Sequence, residues 1–253
     1  DTEGHNLAIG TGALGGAVAG GEYNIAIGNN SLDALTSADY VTAVGYDAGT
    51  ANTTGYSNVF IGADAGKANT EGFNNTFVGR GAGQANTTAD SNTFIGDVAG
   101  GAVTTGGNNI MIGHLAGDGF DAETANLGIG KQALGGAIAG GEYNVAIGNG
   151  SLDALTSADS VTAIGYEAGS DYTTGDSGAG RSVFIGYQAG KAVTTGFDQV
   201  AIGSGAGSVN GVGTSRGLIS VGRSAGNRKT SGDQCVLIGT DAGSYLTTAA
   251  NSI

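Results

Sequence analysis

The stretch Asn58-Val59-Phe60-Ile61-Gly62-Ala63-Asp64-Ala65-Gly66-Lys67-Ala68-Asn69-Thr70-Glu71-Gly72-Phe73-Asn74 decides the reading of this chain, because it is one copy of a repeat. Seventeen residues later the pattern resumes as Asn75-Thr76-Phe77-Val78-Gly79, and then as Asn92-Thr93-Phe94-Ile95-Gly96. Copies start at Asn6, Asn24, Val41, Asn58, Asn75, Asn92, Asn109, Asn126, Asn144, Val161, Ser182, Gln199, Leu218 and Cys235. The fourth position of each copy is Ile or Val and the fifth is Gly; the eighth is Ala except at Ser31 and Ser151. A fixed period of this length marks a solenoid-like array of units that bury their apolar faces on one another.

Within a copy the opening residues alternate as a strand does, with the β-branched second and fourth positions (Val59 and Ile61, Ile110 and Ile112) on one face. The Gly that follows ends the strand and admits a turn. A helical unit is excluded by recurrent Gly at the fifth, ninth and fifteenth positions, each costing about 1 kcal/mol against Ala in a helix interior. The expected fold is therefore all-β: a parallel β-solenoid of about fourteen coils. Stacking would place Asn6, Asn24, Asn58, Asn75, Asn92, Asn109, Asn126 and Asn144 above one another as a ladder of amides bonded to their copies.

A longer repeat lies over the short one. Residues 6–49 return as residues 126–169, and Ser31-Leu32-Asp33-Ala34-Leu35-Thr36-Ser37-Ala38-Asp39 recurs unchanged at Ser151 to Asp159. The chain is thus two blocks of seven coils, 1–125 and 126–253, expected to form one continuous solenoid. The first two coils of each block carry Leu at the ninth position (Leu14, Leu32, Leu134, Leu152) and read as volume-filling coils.

The third position holds Phe60, Phe77, Phe94 and Met111 in consecutive coils and Phe184 later. If the second and fourth positions face inward, this row faces out, and so large an apolar patch marks an interface. On that reading these five residues form an oligomer interface, with parallel chains about an axis. The other possibility is that the row is the interior.

The composition narrows the function. Gly is abundant (52 residues) without a three-residue period, which excludes collagen. The net charge of −13 makes nucleic acid a poor partner. No apolar run approaches a membrane span, so direct membrane insertion is not expected. The lone Cys235 has no partner for an internal disulfide. The chain begins at Asp1 without a Met or a signal-peptide pattern and ends at Ser252-Ile253 as another coil would open, so it reads as a piece of something longer.

Asn144-Val145-Ala146-Ile147-Gly148 and Gln199-Val200-Ala201-Ile202-Gly203 resemble the head repeats of trimeric autotransporter adhesins. The full form, Asn92-Thr93-Phe94-Ile95-Gly96 continuing through Ala99-Gly100 to Thr104-Thr105-Gly106, resembles Gly-rich repeats of phage tail fibres. The resemblance covers about residues 6–251, with coils longer than those of the adhesin heads. It implies a left-handed β-roll or β-helix in a homotrimeric fibre, displayed extracellularly on a virion or bacterial surface, that binds a host-surface glycan or protein without cofactor or metal.

Other signals are weaker. Gly10-Thr11-Gly12-Ala13-Leu14-Gly15 matches a dinucleotide fingerprint, but no helix follows it. The Ile-Gly-x-x-Ala unit also resembles the repeats of left-handed β-helix acyltransferases, which need a placed His; His5 and His114 are isolated, so an enzyme is not expected. Thr columns such as Thr53-Thr54, Thr87-Thr88 and Thr104-Thr105 suggest an alternative, an ice- or crystalline-surface-binding solenoid. Two longer coils, around Tyr172, Asp176 and Arg181 and around Arg216, are the expected ligand-binding loops, since insertions in repeat arrays gather on one face.

Overall fold

The computed structural model describes residues 4–136, 140–173, 180–208, 216–228, 233–246 and 248. The chain divides into two compact units, Asp1–Thr124 and Ala125–Ile253. The first holds β1 (Leu7–Ile9), β2 (Ile25–Ile27), β3 (Thr42–Val44), β4 (Val59–Ile61), β5 (Thr76–Val78), β6 (Thr93–Ile95) and β7 (Ile110–Ile112). The second holds β8 (Leu127–Ile129), β9 (Val145–Ile147), β10 (Thr162–Ile164), β11 (Val183–Ile185), β12 (Val200–Ile202), β13 (Ile219–Val221) and β14 (Val236–Ile238). Within each unit, consecutive strands pair in parallel and equivalent residues are in register, as in Val59↔Thr76, Phe60↔Phe77 and Ile61↔Val78. This is the β-solenoid that the period predicts, with one strand per coil and no helix among the described residues.

Three residues of strand per coil would be a weak scaffold alone. Inter-coil backbone bonds continue around the coil: Val59 N donates to Asn75 O (2.8 Å), Gly66 N to Ala82 O (3.0 Å) and Thr70 N to Thr87 O (2.8 Å). Between these contacts the backbone turns sharply. The seventh, ninth and seventeenth positions are left-handed in coil after coil, for example Asp64 (φ 59°), Gly66 (58°) and Asn74 (57°). Asn and Asp tolerate that region, and Gly occupies it without strain.

The fifth-position Gly is required by contact as much as by φ. A Cβ on Gly79 (φ 137°) would sit 2.2 Å from the carbonyl oxygen of Gly96 in the next coil, inside van der Waals contact. Removing every Cβ from this column lets the coils approach closely enough to pair.

The third-position row is the interior. Phe60, Phe77, Phe94, Met111 and Phe184 are 0 % exposed within a single chain, so they are no oligomer interface. The rings stack along the unit, Phe77 on Phe94 at 4.9 Å between centroids. The second and fourth positions instead face out, Ile61 being 39 % exposed. The reason lies across the coil: the turn carrying Ala65 and Gly66 folds over the third-position side chain. A Cβ on Gly66 would meet the Phe60 ring at 2.4 Å, so Gly at the ninth position and a ring at the third are a matched pair.

The Leu-bearing coils invert that pair. Where the third residue is Ala26 or Ala146, the ninth is Leu32 or Leu152, fully buried in the same space. Between the two kinds of coil stand Ala43 with Gly49 and Ala163 with Gly169. There the ring of the next coil and the Leu of the preceding one share the gap, as shown by the hypothetical Cβ of Gly49, 2.6 Å from Phe60 and 2.9 Å from Leu32. The Leu coils are volume-filling, as read from the sequence.

The first-position Asn ladder forms, with different bonding from that expected. Asn side-chain oxygens accept from the first backbone N–H of the next coil, as Asn58 Oδ1 does from Asn75 N (2.8 Å) and Asn24 Oδ1 from Val41 N (2.9 Å). Each amide nitrogen donates across its own coil, Asn58 Nδ2 to Gly72 O (2.7 Å), tying strand to return segment. Side-chain-to-side-chain bonding occurs in a second, shorter ladder at the twelfth position: Asn69 Nδ2 to Asn52 Oδ1 (2.6 Å) and Asn86 Nδ2 to Asn69 Oδ1 (2.7 Å). Val103 and Phe120 continue that buried column as apolar residues, and Asn86 Oδ1 is left without a donor.

Candidate functional site

With the core satisfied inside each coil, any binding function must lie on the outer faces. The strand face is regular and β-branched, mostly Ile and Val, with Thr42, Thr76, Thr93 and Thr162 at the second position. Ile25, Ile61, Ile95 and Ile110 in the first unit, and Ile164 and Ile202 in the second, are more than one-third exposed. β-Branched side chains at 17-residue intervals form columns one coil apart, which the outward turn of the second and fourth positions makes unavoidable.

The return segment carries the Thr columns. The first Thr of each pair is committed to the fold: Thr53 Oγ1 donates to Thr70 O (3.0 Å), Thr70 Oγ1 to Thr87 O and Thr87 Oγ1 to Thr104 O. The second Thr of the pair, at Thr54, Thr88 and Thr105, is exposed, with Glu71 interrupting the column.

The expected loop residues separate into different environments. Tyr172 is no surface contact: it is 0 % exposed, occupies the twelfth-position core column, packs edge-on against Phe184 (5.4 Å) and donates its hydroxyl to Gly196 O. The insertion that follows it drew attention to this residue, whereas its place in the column belongs with Leu155 and Val193. Arg181 and Arg216 do come together, on the Phe197 ring, at 5.9 and 4.9 Å from its centroid. Arg181 also pairs with Asp198 (3.2 Å). Asp176 lies outside the described residues. Phe197 was missed by the sequence reading, although its counterpart Phe73, stacked on Tyr56 at 4.9 Å, occupies the corresponding place in the first unit.

The turn face of the second unit holds a groove of about 520 Å³ lined by Lys131, Gln132, Gly150, Asp153, Tyr166 and Asp171, among others. One edge is a bonded network. Glu167 accepts from Lys191 Nζ and from Gln188 Nε2 (2.8 Å), and its carboxyl is pulled down to about 2 by the Lys191 ammonium, then by Tyr166 and Gln188. The Tyr166 hydroxyl, bonded to that carboxylate, has its pKa raised, and the ring stacks on Tyr187 (5.4 Å). Asp153 has no such donor among the described residues, and burial pushes its carboxyl up.

The first unit carries a related network without the lining of Lys131 and Gln132. There Lys67 bridges Asp47 (2.9 Å) and Asp64 (2.8 Å), and Asn30 Nδ2 donates to Asp47 Oδ1 (3.0 Å). Asp47 is held below the usual carboxylate range by Lys67 first and Asn30 second. None of these turn residues was given a binding role from the sequence. Comparing the two blocks residue by residue would have shown the signal, because Asn30 becomes Gly150 and Asp47 becomes Glu167 within otherwise near-identical coils.

Among the described residues, no group of three or more His, Cys, Asp or Glu is placed to hold a metal ion, and no helix is long and apolar enough to cross a membrane. Set against protein-family models, curated proteins and solved structures, the chain matches none of them.

Proposed function

We propose that this chain is the shaft or adhesive head of an extracellular fibre, a homotrimer that attaches to a host or matrix surface by many weak contacts rather than by catalysis. The observation that carries this reading is the largely apolar strand face, with Ile side chains more than one-third exposed on coils whose third-position residues are buried inside. Ile25, Ile61, Ile95 and Ile110 recur along the first unit, each more than one-third exposed, and so continuous an apolar column marks an interface. The occupant that fits best is another copy of this chain, because only a surface with the same coil spacing matches such columns along their length. The interface thus moves from the Phe row to the second and fourth positions. The net charge of −13 keeps the remaining surface soluble, and repetition multiplies weak contacts into avidity.

Light scattering on the full chain tests the assembly: a mass near three times 24.4 kDa is expected, falling to the chain mass when Ile61→Asp and Ile95→Asp are combined. A wild-type monomer overturns the trimer.

The exposed column Thr54, Thr88 and Thr105 favours a second reading, the ice- or crystalline-surface-binding solenoid. Thermal hysteresis lost on Thr→Val substitution of those three residues is its signature, and its absence in the wild type sets that reading aside.

A further inference from the structure

The turn-face groove of the second unit differs from its counterpart in one decisive place. In the first unit the seventh position of the second coil is Asn30, whose amide bonds Asp47 and whose carbonyl accepts from Thr50 Oγ1 (2.8 Å). In the second unit that position is Gly150, and the space an Asn side chain would take is open: a Cβ built there meets only Glu167 Cγ, at 3.5 Å. Around the opening, Lys131 and Gln132 replace Thr11 and Gly12, and Asp171 replaces Ala51. Gln132 and Asp171 add hydrogen-bonding side chains where the first unit has Gly and Ala, and Lys131 adds a charge in place of a hydroxyl.

The chemistry of the lining selects among ligands. Asp153 and Asp171 are carboxylates that would repel an anion, and Lys131, which pairs with no carboxylate among the described residues, would repel a cation. Asp153 has no donor among the described residues, so it calls for a hydrogen-bond donor, while Lys131 calls for an acceptor. A hydroxyl both donates and accepts, so an uncharged polyol meets both groups where an ion meets only one. Tyr166 adds an apolar ring: Tyr187 covers one face, and the ring lines the groove together with Asn149 and Gly150. Ring face plus carboxylate, amide and ammonium suits a sugar, which has an apolar C–H face and a rim of hydroxyls. The groove volume of about 520 Å³ is that of a small-ligand site.

We infer that this groove, opened by Gly150 and lined by Lys131, Gln132, Asp153, Tyr166 and Asp171, is a binding subsite for an uncharged sugar residue of a surface glycan. It deepens the adhesive reading and rests on it for the source of the sugar; the groove itself does not depend on the chain being a trimer.

The experiment uses the full chain on an immobilised panel of neutral gluco-, manno- and N-acetylglucosamine oligosaccharides, with sulfated and sialylated glycans and a polyamine surface as charged controls. Gly150→Asn restores the first unit's residue at a backbone angle (φ 65°) close to that of Asn30 (φ 56°), so it fills the groove without straining the coil. Expected is retention of the wild type on at least one neutral glycan, weakened at least about tenfold by Gly150→Asn and by Asp153→Ala, with unfolding of Gly150→Asn unchanged. The inference is overturned if no neutral glycan is retained, if only the charged controls bind, or if Gly150→Asn binds as the wild type does. A chain that has the trimer mass yet retains no neutral glycan loses the subsite and keeps the shaft. A monomer with Gly150-dependent retention keeps the subsite and loses the trimer.

Discussion

The two units open with nearly the same coils and then diverge. After the shared Leu coils and the transition at Ala43 or Ala163, the first unit stacks Phe60, Phe77, Phe94 and Met111 down its centre. The second places one ring, Phe184, and continues with Ala201, Ser220 and Leu237. The hypothetical Cβ of Gly207 meets nothing within 4 Å except Ala201, and the buried Ser220 hydroxyl has no hydrogen-bond partner. The longer coils also belong to the second unit. One repeat grammar therefore supports a densely filled stack in one unit and a thinner core with a more elaborate surface in the other. In repeat arrays stability is a sum of local and neighbour terms, so such a difference stays local.

The comparison can be broken most forcefully at what the units share. Gly79→Ala drives a Cβ to 2.2 Å from the Gly96 carbonyl and forces two coils apart; a loss above about 4 kcal/mol is expected in denaturant unfolding. Among the described residues Gly239 has nothing within 4 Å of its hypothetical Cβ, and in this 253-residue chain Gly239→Ala should cost only the backbone strain, about 1–3 kcal/mol. Equal losses would mean that φ, rather than coil approach, fixes this Gly column.

Next in size is the twelfth-position ladder, where the second unit has Tyr172 and Val193 in place of Asn52 and Asn69. Asn69→Ala leaves Asn52 Oδ1 without its donor and Asn86 Nδ2 without one acceptor, and should destabilise the first unit by about 2–3 kcal/mol. Hydrogen exchange should show faster opening in neighbouring coils of that unit. Unchanged protection would reduce the ladder to decoration.

The core rule itself gives a pair of opposite signs. Ala146→Phe places a ring where Leu152 already lies and should cost about 1–3 kcal/mol. Ala201→Phe, opposite Gly207, extends the stack begun by Phe184 and should stabilise the second unit by about 1 kcal/mol. Destabilisation by both would refute the exchange of volume between third and ninth positions.

The smallest effect is electrostatic. Glu167 is depressed from 4.5 to about 2 by Lys191 and its neighbours, so its contribution is fully present above pH 4.5 and is lost as pH falls toward 2. The pair is partly exposed, and screening keeps the contribution below about 1 kcal/mol. Lys191→Met should flatten that acid limb in the second unit, and Lys67→Met should do the same for Asp47 in the first. An unchanged pH profile in both would show that these turn networks add nothing to folding.

Much of this was legible in one chain. The period, the columns, the two blocks and the Leu coils follow from residues recurring at fixed intervals, and stacking converts interval into neighbourhood. The candidate site was less legible. Tyr172 stood beside an insertion and read as a surface residue, while the groove rests on Gly150, where the informative event is a side chain removed.

What the sequence determined by itself is which residues stand above which, because parallel stacking in register depends only on spacing. What only the tertiary structure decided is which face of the strand is inside. Ile, Val and Phe are all apolar, so alternation defines two faces without saying which one the coil closes over. That choice is made across the coil, where Gly at the ninth position leaves a space that a third-position ring fills and that the β-branched second and fourth positions, on the opposite face, do not reach.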